Sequence, residues 1–116
     1  MTTVDNEKER AFWNGAGGET WVRAQAQLDQ MLAPLLDALL AGAALQPGRR
    51  VLDLGCGCGA SSLAAAESGA EVVGLDFSAP MISLAEARGK AASARALRFI
   101  CKDATKAVFP TPFDHL

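Results

Sequence analysis

The sequence of 116 residues contains no tyrosine, one histidine and no long apolar run. A membrane-spanning helix needs about 20 consecutive apolar residues, so we expect none here. The N-terminal segment MTTVDNEKER is polar and lacks the apolar core of a signal peptide. A basic patch is also lacking, because the net charge is −2 and the 11 Lys and Arg residues are scattered along the chain. These absences favour a soluble, cytoplasmic domain and do not indicate a nucleic-acid partner.

Cysteine is present in an odd number, three, which does not suggest a disulfide framework. Cys56 and Cys58 are separated by one residue and would bond to each other only with severe strain. A zinc cluster needs about four ligands, and His115 is the only histidine, so we expect no metal. With 50% hydrophobic and 21% charged residues, the composition is typical of one small globular domain.

The most informative stretch is Arg50–Ala66, which reads RVLDLGCGCGASSLAAA. Its pattern predicts a buried strand, a loop that carries Gly55, Gly57 and Gly59, and an alanine-rich helix. Closely spaced glycines let the backbone turn sharply and approach a ligand without a Cβ in the way. The first turn of the helix then presents unpaired N–H groups and the positive end of a dipole. The stretch therefore predicts a site for a nucleotide-like ligand.

Two further strands are predicted after this loop, at Glu71–Leu75 and Leu97–Cys101. Between them, Ser78 is expected to cap a helix that continues to about Ser93. Strands that alternate with helices predict right-handed crossovers and a parallel sheet. The expected class is α/β, a doubly wound sheet in three layers, with a fourth strand beginning at Phe113–Leu116.

Residues 1 to about 10 are expected to be loosely ordered, since they carry no apolar anchor. Trp13 and Trp21 follow, with three glycines between them that predict a flexible turn. Two interpretations of the tryptophans stay open. They either pack on the core or form a lid over a ligand, with the glycines as its hinge.

From Thr20 the leucines recur at spacings of three and four, which predicts an amphipathic helix. Pro34 lies inside this run and should kink the helix or split it in two. We therefore expect residues 1–45 to form an N-terminal helical segment, or lid. Residues 46–116 should form the sheet domain that binds the ligand.

Three acidic residues lie at or near the predicted strand ends, namely Asp53, Asp76 and Asp103. In such sheets the ligand binds beyond the carboxyl ends of the strands. Asp76 follows Gly55 by 21 positions, which suits a carboxylate that binds ribose hydroxyls. The loop also matches G-x-G-x-x-A, so an NAD-dependent oxidoreductase stays open as an alternative. A charge inside the first strand, at Asp53, favours a different ligand.

Three blocks of the chain together resemble the class I S-adenosylmethionine-dependent methyltransferases. The blocks are VLDLGCGCG, EVVGLDFSAPMISLAEAR and RFICKDA, and they fall in the order and spacing of that family. The resemblance covers about Trp13 to Asp114. It implies a Rossmann-like fold, S-adenosylmethionine as cofactor, and methyl transfer as the reaction.

The resemblance also implies which residues bind the cofactor. The segment from Asp53 to Gly59 would hold its methionine part, Asp76 its ribose hydroxyls, and Asp103 with Ala104 the amino edge of adenine. The complete implied set is Asp53, Gly55, Cys56, Gly57, Gly59, Asp76, Phe77, Met81, Asp103, Ala104 and Trp21. Other roles stay open for the carboxylates: Asp53 as acceptor for loop amides, Asp76 as helix cap, and Asp103 as turn residue.

The sequence departs from the family in its extent. Complete members have about seven strands, whereas this chain stops where the fourth would start. The first strand would then be an exposed apolar edge, which either Phe113–Leu116, a second copy or a missing fragment would pair with. We therefore expect a truncated polypeptide that forms homo-oligomers.

Catalysis is less well defined by the sequence. No general base can be assigned, and we expect His115, Cys56 and Cys58 to be bystanders in the chemistry. The methyl acceptor is unknown, with a small molecule favoured. A non-catalytic cofactor-binding or interaction module is the third alternative.

Overall fold

In the computed structural model, which describes residues 6–94 and 96–116, three helices precede a small sheet with its own helices. The N-terminal helices are α1 (Glu7–Asn14), α2 (Ala16–Arg23) and α3 (Gln25–Ala43). The following elements are β1 (Arg50–Leu54), α4 (Ala60–Glu67), β2 (Glu71–Asp76), α5 (Ala79–Ala91), β3 (Leu97–Cys101) and a 3-10 turn at Ala104–Lys106. No helix in the described part of the chain is both long and apolar enough to cross a membrane.

The sheet is parallel, with strand order β1-β2-β3. Leu52 pairs with Val73, and Gly74 pairs with Phe99. Each neighbouring pair of strands is joined by a helix, α4 or α5, as parallel pairing requires. The predicted α/β class and the three strands are therefore confirmed, and the sheet is incomplete.

Each face of the sheet carries its own apolar cluster, because successive side chains of a strand point to opposite faces. The cluster on the α4 side consists of Val51, Ala65, Ala70 and Val72, with Leu40 and Leu45 packed against it. The cluster on the other face consists of Leu52, Val73 and Leu75, with Ile100, Ala107, Phe109 and Phe113 packed against it. The C-terminal loop therefore covers part of the second face.

The outer edge of β1 is paired with the C-terminal segment at one position. Val51 and His115 form a parallel bridge, and the Leu52 N–H donates to the His115 carbonyl at 3.0 Å. The Asp114 N–H donates to the Arg50 carbonyl at 2.8 Å. Of the outcomes expected for this edge, pairing within the chain is the one observed. Its extent is a single bridge rather than a fourth strand.

Two expectations for the N-terminal segment are wrong. The chain is helical from Glu7 onward rather than loosely ordered, while residues 1–5 lie outside the described part. The predicted flexible turn is wrong in extent, because only Gly15 lies between α1 and α2, whereas Gly17 and Gly18 belong to α2. A Cβ on Gly18 would lie 2.0 Å from the Trp13 carbonyl oxygen, so this glycine serves close packing of α2 on α1 rather than a hinge.

The break in the leucine-rich helix lies elsewhere than predicted. The N–H of Ala24 bonds to the carbonyls of Thr20 and Trp21, and α3 begins after it. Pro34 lies inside α3, which continues to Ala43 as one element. A proline removes one helical hydrogen bond, and the remaining bonds of a 19-residue helix are sufficient to continue it.

We expect Gly18→Ala to destabilise the fold by about 1–3 kcal/mol, since the added methyl group must displace backbone. Gly42→Ala is the matched control in α3, where an added Cβ meets nothing within 4 Å. That substitution should stabilise the protein by about 0.5–1 kcal/mol through helix propensity. Urea denaturation followed by circular dichroism measures both, and a shift of the two variants in the same direction would contradict the packing role of Gly18.

Candidate functional site

The glycine loop lies between β1 and α4, at the carboxyl end of the sheet. The N–H groups of Gly55 and Cys56 both donate to the Leu75 carbonyl, at 2.8 and 3.1 Å. Gly57 has a φ of +58°, and a Cβ there would lie 2.9 Å from the methyl group of Met81. The loop is thus held against the end of β2 in a conformation that needs glycine.

Asp76 is the last residue of β2, and both of its carboxylate oxygens are engaged. Oδ2 accepts a hydrogen bond from the Gly57 N–H at 3.0 Å, and Oδ1 accepts one from the Ser78 N–H at 2.9 Å. The alternative role of Asp76 as a helix cap is therefore partly observed, because its carboxylate bonds to the Ser78 N–H just before α5 begins. A carboxylate oxygen has two lone pairs, so each can accept a further bond from a ligand.

Asp53 lies within β1 and accepts hydrogen bonds from two hydroxyl groups of α4. Ser61 and Ser62 donate to its Oδ2, at 2.5 and 2.7 Å. These donors are side chains, whereas the alternative predicted from sequence was the loop amides. In this arrangement Asp53 fixes the first turn of α4 relative to β1.

The N-terminal helices are connected to the site by side chains near the end of α1. Asn14 donates from Nδ2 to the Phe77 carbonyl at 2.7 Å and accepts from the Ala79 N–H at 2.8 Å. The Ser78 hydroxyl donates to the Trp13 carbonyl instead of capping its own helix. Asn14 therefore supplies the N-terminal cap of α5 from a distant part of the chain.

A cavity of about 1120 Å³ extends from the glycine loop along α3. Both tryptophans lie on its wall, with their ring centroids 6.0 Å apart in an edge-to-face arrangement. The predicted site residues on this wall are Trp21, Gly55, Cys56, Gly57, Asp76, Phe77 and Met81. Seven of the predicted residues are thus brought together around one space.

The other predicted residues do not lie on the wall of this cavity. Asp103 caps the 3-10 turn that contains Ala104, and it accepts from the N–H and hydroxyl of Thr105 at 2.9 and 2.7 Å. These bonds lower the pKa of Asp103 below its usual range. Gly59 faces the core instead, since a Cβ there would lie 2.8 Å from the Phe99 ring. Asp53, described above, is the fourth.

Polar wall residues also include a connected group that the sequence reasoning missed. The Arg88 guanidinium donates to Asp29 at 2.8 Å and to the Cys58 carbonyl at 3.0 Å. Gln25 donates from Nε2 to the other oxygen of Asp29. The group connects α3, α5 and the glycine loop. Nothing in the sequence distinguished Arg88 from an ordinary surface arginine.

The two loop cysteines are buried thiols, while Cys101 is exposed. Burial, with the carboxylates of Asp53 and Asp76 nearby, raises the pKa of Cys56 well above its usual range. Burial raises the pKa of Cys58 to about 11, although Arg88 opposes this. Both are therefore protonated, weakly nucleophilic groups at neutral pH. Within residues 6–94 and 96–116, no three His, Cys, Asp or Glu side chains are grouped so as to hold a metal ion.

Comparison with known proteins gives a family match that begins at β1. Residues 51–116 match the family described as "Methyltransferase domain". The cypemycin N-terminal methyltransferase of a Streptomyces species is 43% identical over 70 residues, which are 59% of this chain and 29% of that protein. A 23S rRNA (uracil(1939)-C(5))-methyltransferase of Shewanella is 45% identical over 74 residues, 63% of this chain and 15% of that protein. The chain thus spans less than a third of these relatives.

Among solved structures, magnesium protoporphyrin IX methyltransferase from Synechocystis is similar over most of the chain. Its complex with S-adenosylhomocysteine gives a TM-score of 0.72 at 26% identity, over 90% of this chain and 54% of that one. The same enzyme has also been solved with S-adenosylmethionine, so the cofactor of this neighbour is known. The family match, the fold and the glycine loop agree with the resemblance seen in the sequence. The chain belongs to the class I S-adenosylmethionine-dependent methyltransferases.

Proposed function

We propose that this chain binds S-adenosylmethionine and forms the cofactor-binding part of a methyltransferase. The observation that carries the proposal is the meeting of the glycine loop, Asp76 and the two tryptophans on one cavity. Residues 46–116 would form the cofactor domain, and residues 1–45 its helical cover. The presence of Trp13 and Trp21 on the cavity wall supports this division.

The residues on the wall fit the chemistry of this cofactor. Asp76 already accepts two backbone N–H groups and keeps lone pairs for the ribose hydroxyls. Phe77 and Met81 offer apolar surface for the adenine ring. The tryptophan rings suit a positively charged sulfonium, because aromatic faces attract cations. Asp53 would act through α4, and Asp103 with Ala104 would need to approach from the adjacent turn.

When bound, S-adenosylmethionine supplies a methyl group that its sulfonium has already activated. The protein's contribution is then to bind, orient and exclude water rather than to form a covalent intermediate. Held by Leu75 and Asp76, the loop presents a fixed backbone surface to the ligand. The helical cover lines one side of the same space.

A small-molecule acceptor is the favoured finer proposal. The named acceptors of the relatives differ, and the net charge of −2 weighs against a polyanionic one. We also propose a cytoplasmic location, which the three free cysteines support, since thiols persist in reducing compartments.

We expect calorimetric titration to detect binding of S-adenosylhomocysteine and not of NAD. Asp76→Asn should weaken that binding by about ten-fold or more, because an amide nitrogen cannot accept the bonds that a carboxylate oxygen accepts.

The matched control is Glu86→Gln, which makes the same change of charge on the exposed side of α5. It should bind like the unmodified chain. Binding of NAD alone would favour the oxidoreductase alternative, and binding of neither ligand would favour a non-catalytic module.

We expect the buried thiols of Cys56 and Cys58 to take no part in catalysis. At neutral pH, iodoacetamide is expected to modify exposed Cys101 well before Cys56 or Cys58. Above pH 9.0 the unfolded chain loses thiol protons that the fold still retains, so stability should fall as the pH rises toward 11. Mass spectrometry and thermal melts measure the two effects, and rapid labelling of Cys56 at neutral pH would contradict the assignment.

We further propose that the chain self-associates through the outer edge of β1. The C-terminal segment bonds to Arg50 and Leu52 there, whereas Leu54, which is 45% exposed, lies beyond this pairing and leaves the end of the apolar edge open to another chain. Light scattering should show an average mass that rises with concentration. A constant monomer mass up to high concentration would exclude this assembly without affecting the proposed cofactor binding.

A further inference from the structure

The Oε1 atom of Gln25 is an unusual acceptor. It is shielded from water, and no described residue donates a hydrogen bond to it. No other buried side-chain nitrogen or oxygen in residues 6–94 and 96–116 lacks a partner in this way. Because an unpaired buried acceptor is unfavourable, such a group needs an explanation. Gln25 also lies on the wall of the cavity, where a ligand can provide the missing donor.

The orientation of the Gln25 amide is set by its neighbour. A carboxylate accepts hydrogen bonds and does not donate them, so the group of Gln25 that faces Asp29 must be Nε2. Asp29 is itself held in place by Arg88, at 2.8 Å. Oε1 is therefore the atom left for a ligand, which would reach it by a rotation of the terminal amide, whose torsional profile is broad.

The position of the Gln25 side chain indicates which part of the ligand would contact it. Arg88 also donates to the Cys58 carbonyl, so Gln25, Asp29 and Arg88 form one chain of contacts that ends at the glycine loop. Cys58, Ala60 and Ser61 lie on the same wall. Under the proposed function, the methionine part of the cofactor lies at this loop. Its positively charged ammonium is the strong donor available there.

We propose that Gln25 binds the ammonium group of the cofactor's amino-acid tail through Oε1, and that Asp29 and Arg88 are positioning residues for it. The inference rests on the proposed function and adds a binding residue from α3. It also gives the helical cover a direct contact with the ligand. Arg88 then connects that contact to the loop, since one guanidinium holds both Asp29 and the Cys58 carbonyl.

The test uses three adenosyl ligands that differ only in the tail. They are S-adenosylhomocysteine, its analogue without the amino group, and 5′-methylthioadenosine, which has no amino-acid tail. Gln25→Met keeps the approximate shape and removes the acceptor. We expect this variant to weaken the binding of S-adenosylhomocysteine by about ten-fold, which is the effect of losing one hydrogen bond to a charged group. The other two ligands should bind within about two-fold of the unmodified chain.

Gln27→Leu is the matched control, a glutamine on the exposed side of the same helix, and it should change none of the three affinities. Asp29→Asn keeps the shape of the side chain. It lets the Gln25 amide turn over, so that Oε1 instead of Nε2 faces residue 29. It should reproduce the selective loss for S-adenosylhomocysteine. Thermal melts of each variant report folding separately from binding.

Equal loss on all three ligands would overturn the proposal, because Gln25 would then support the fold or contact the nucleoside. Unchanged binding of S-adenosylhomocysteine to Gln25→Met would overturn it as well. If the unmodified chain binds none of the ligands, the proposed function itself fails. That result is distinguishable from a failure confined to Gln25.

Discussion

The carboxylate of Asp76 is the interaction on which the rest of the site depends. One oxygen holds the Gly57 N–H of the glycine loop, and the other holds the Ser78 N–H at the start of α5. A single side chain at the end of β2 therefore fixes both the glycine loop and the start of α5. Hydrogen bonds to an ionised acceptor are the stronger kind, which suits this position.

Hydrogen bonds rather than a flexible hinge hold the N-terminal helices against the sheet domain. Asn14 bonds to Phe77 and Ala79, and Ser78 bonds back to Trp13, so the two parts of the chain exchange hydrogen bonds in both directions. Gly18 allows the close approach that these bonds require. Trp13 is consequently held at the cavity wall through its backbone carbonyl, and its position does not depend on a flexible glycine turn.

Local patterns of the sequence predicted the strands, α4, α5 and the glycine loop, because each depends on neighbouring residues. The course of α1 and α2 was missed, since Gly17 and Gly18 have low helix propensity and packing with Ser78 overrides it. Asn14 as a cap for α5 lies 65 positions from its partner, and no local rule connects the two. Arg88 and Asp29 lie 59 positions apart and meet only through the tertiary structure.

The exchanged caps between α1 and α5 have a consequence for how the chain is divided. A sequence-based boundary after residue 45 separates helices from sheet, yet the start of α5 obtains a cap from Asn14 and the Ser78 hydroxyl obtains its acceptor from Trp13. Cutting the chain there would leave those groups unpaired. We therefore expect α1 to fold together with the sheet, and a minimal fragment designed for expression to need it.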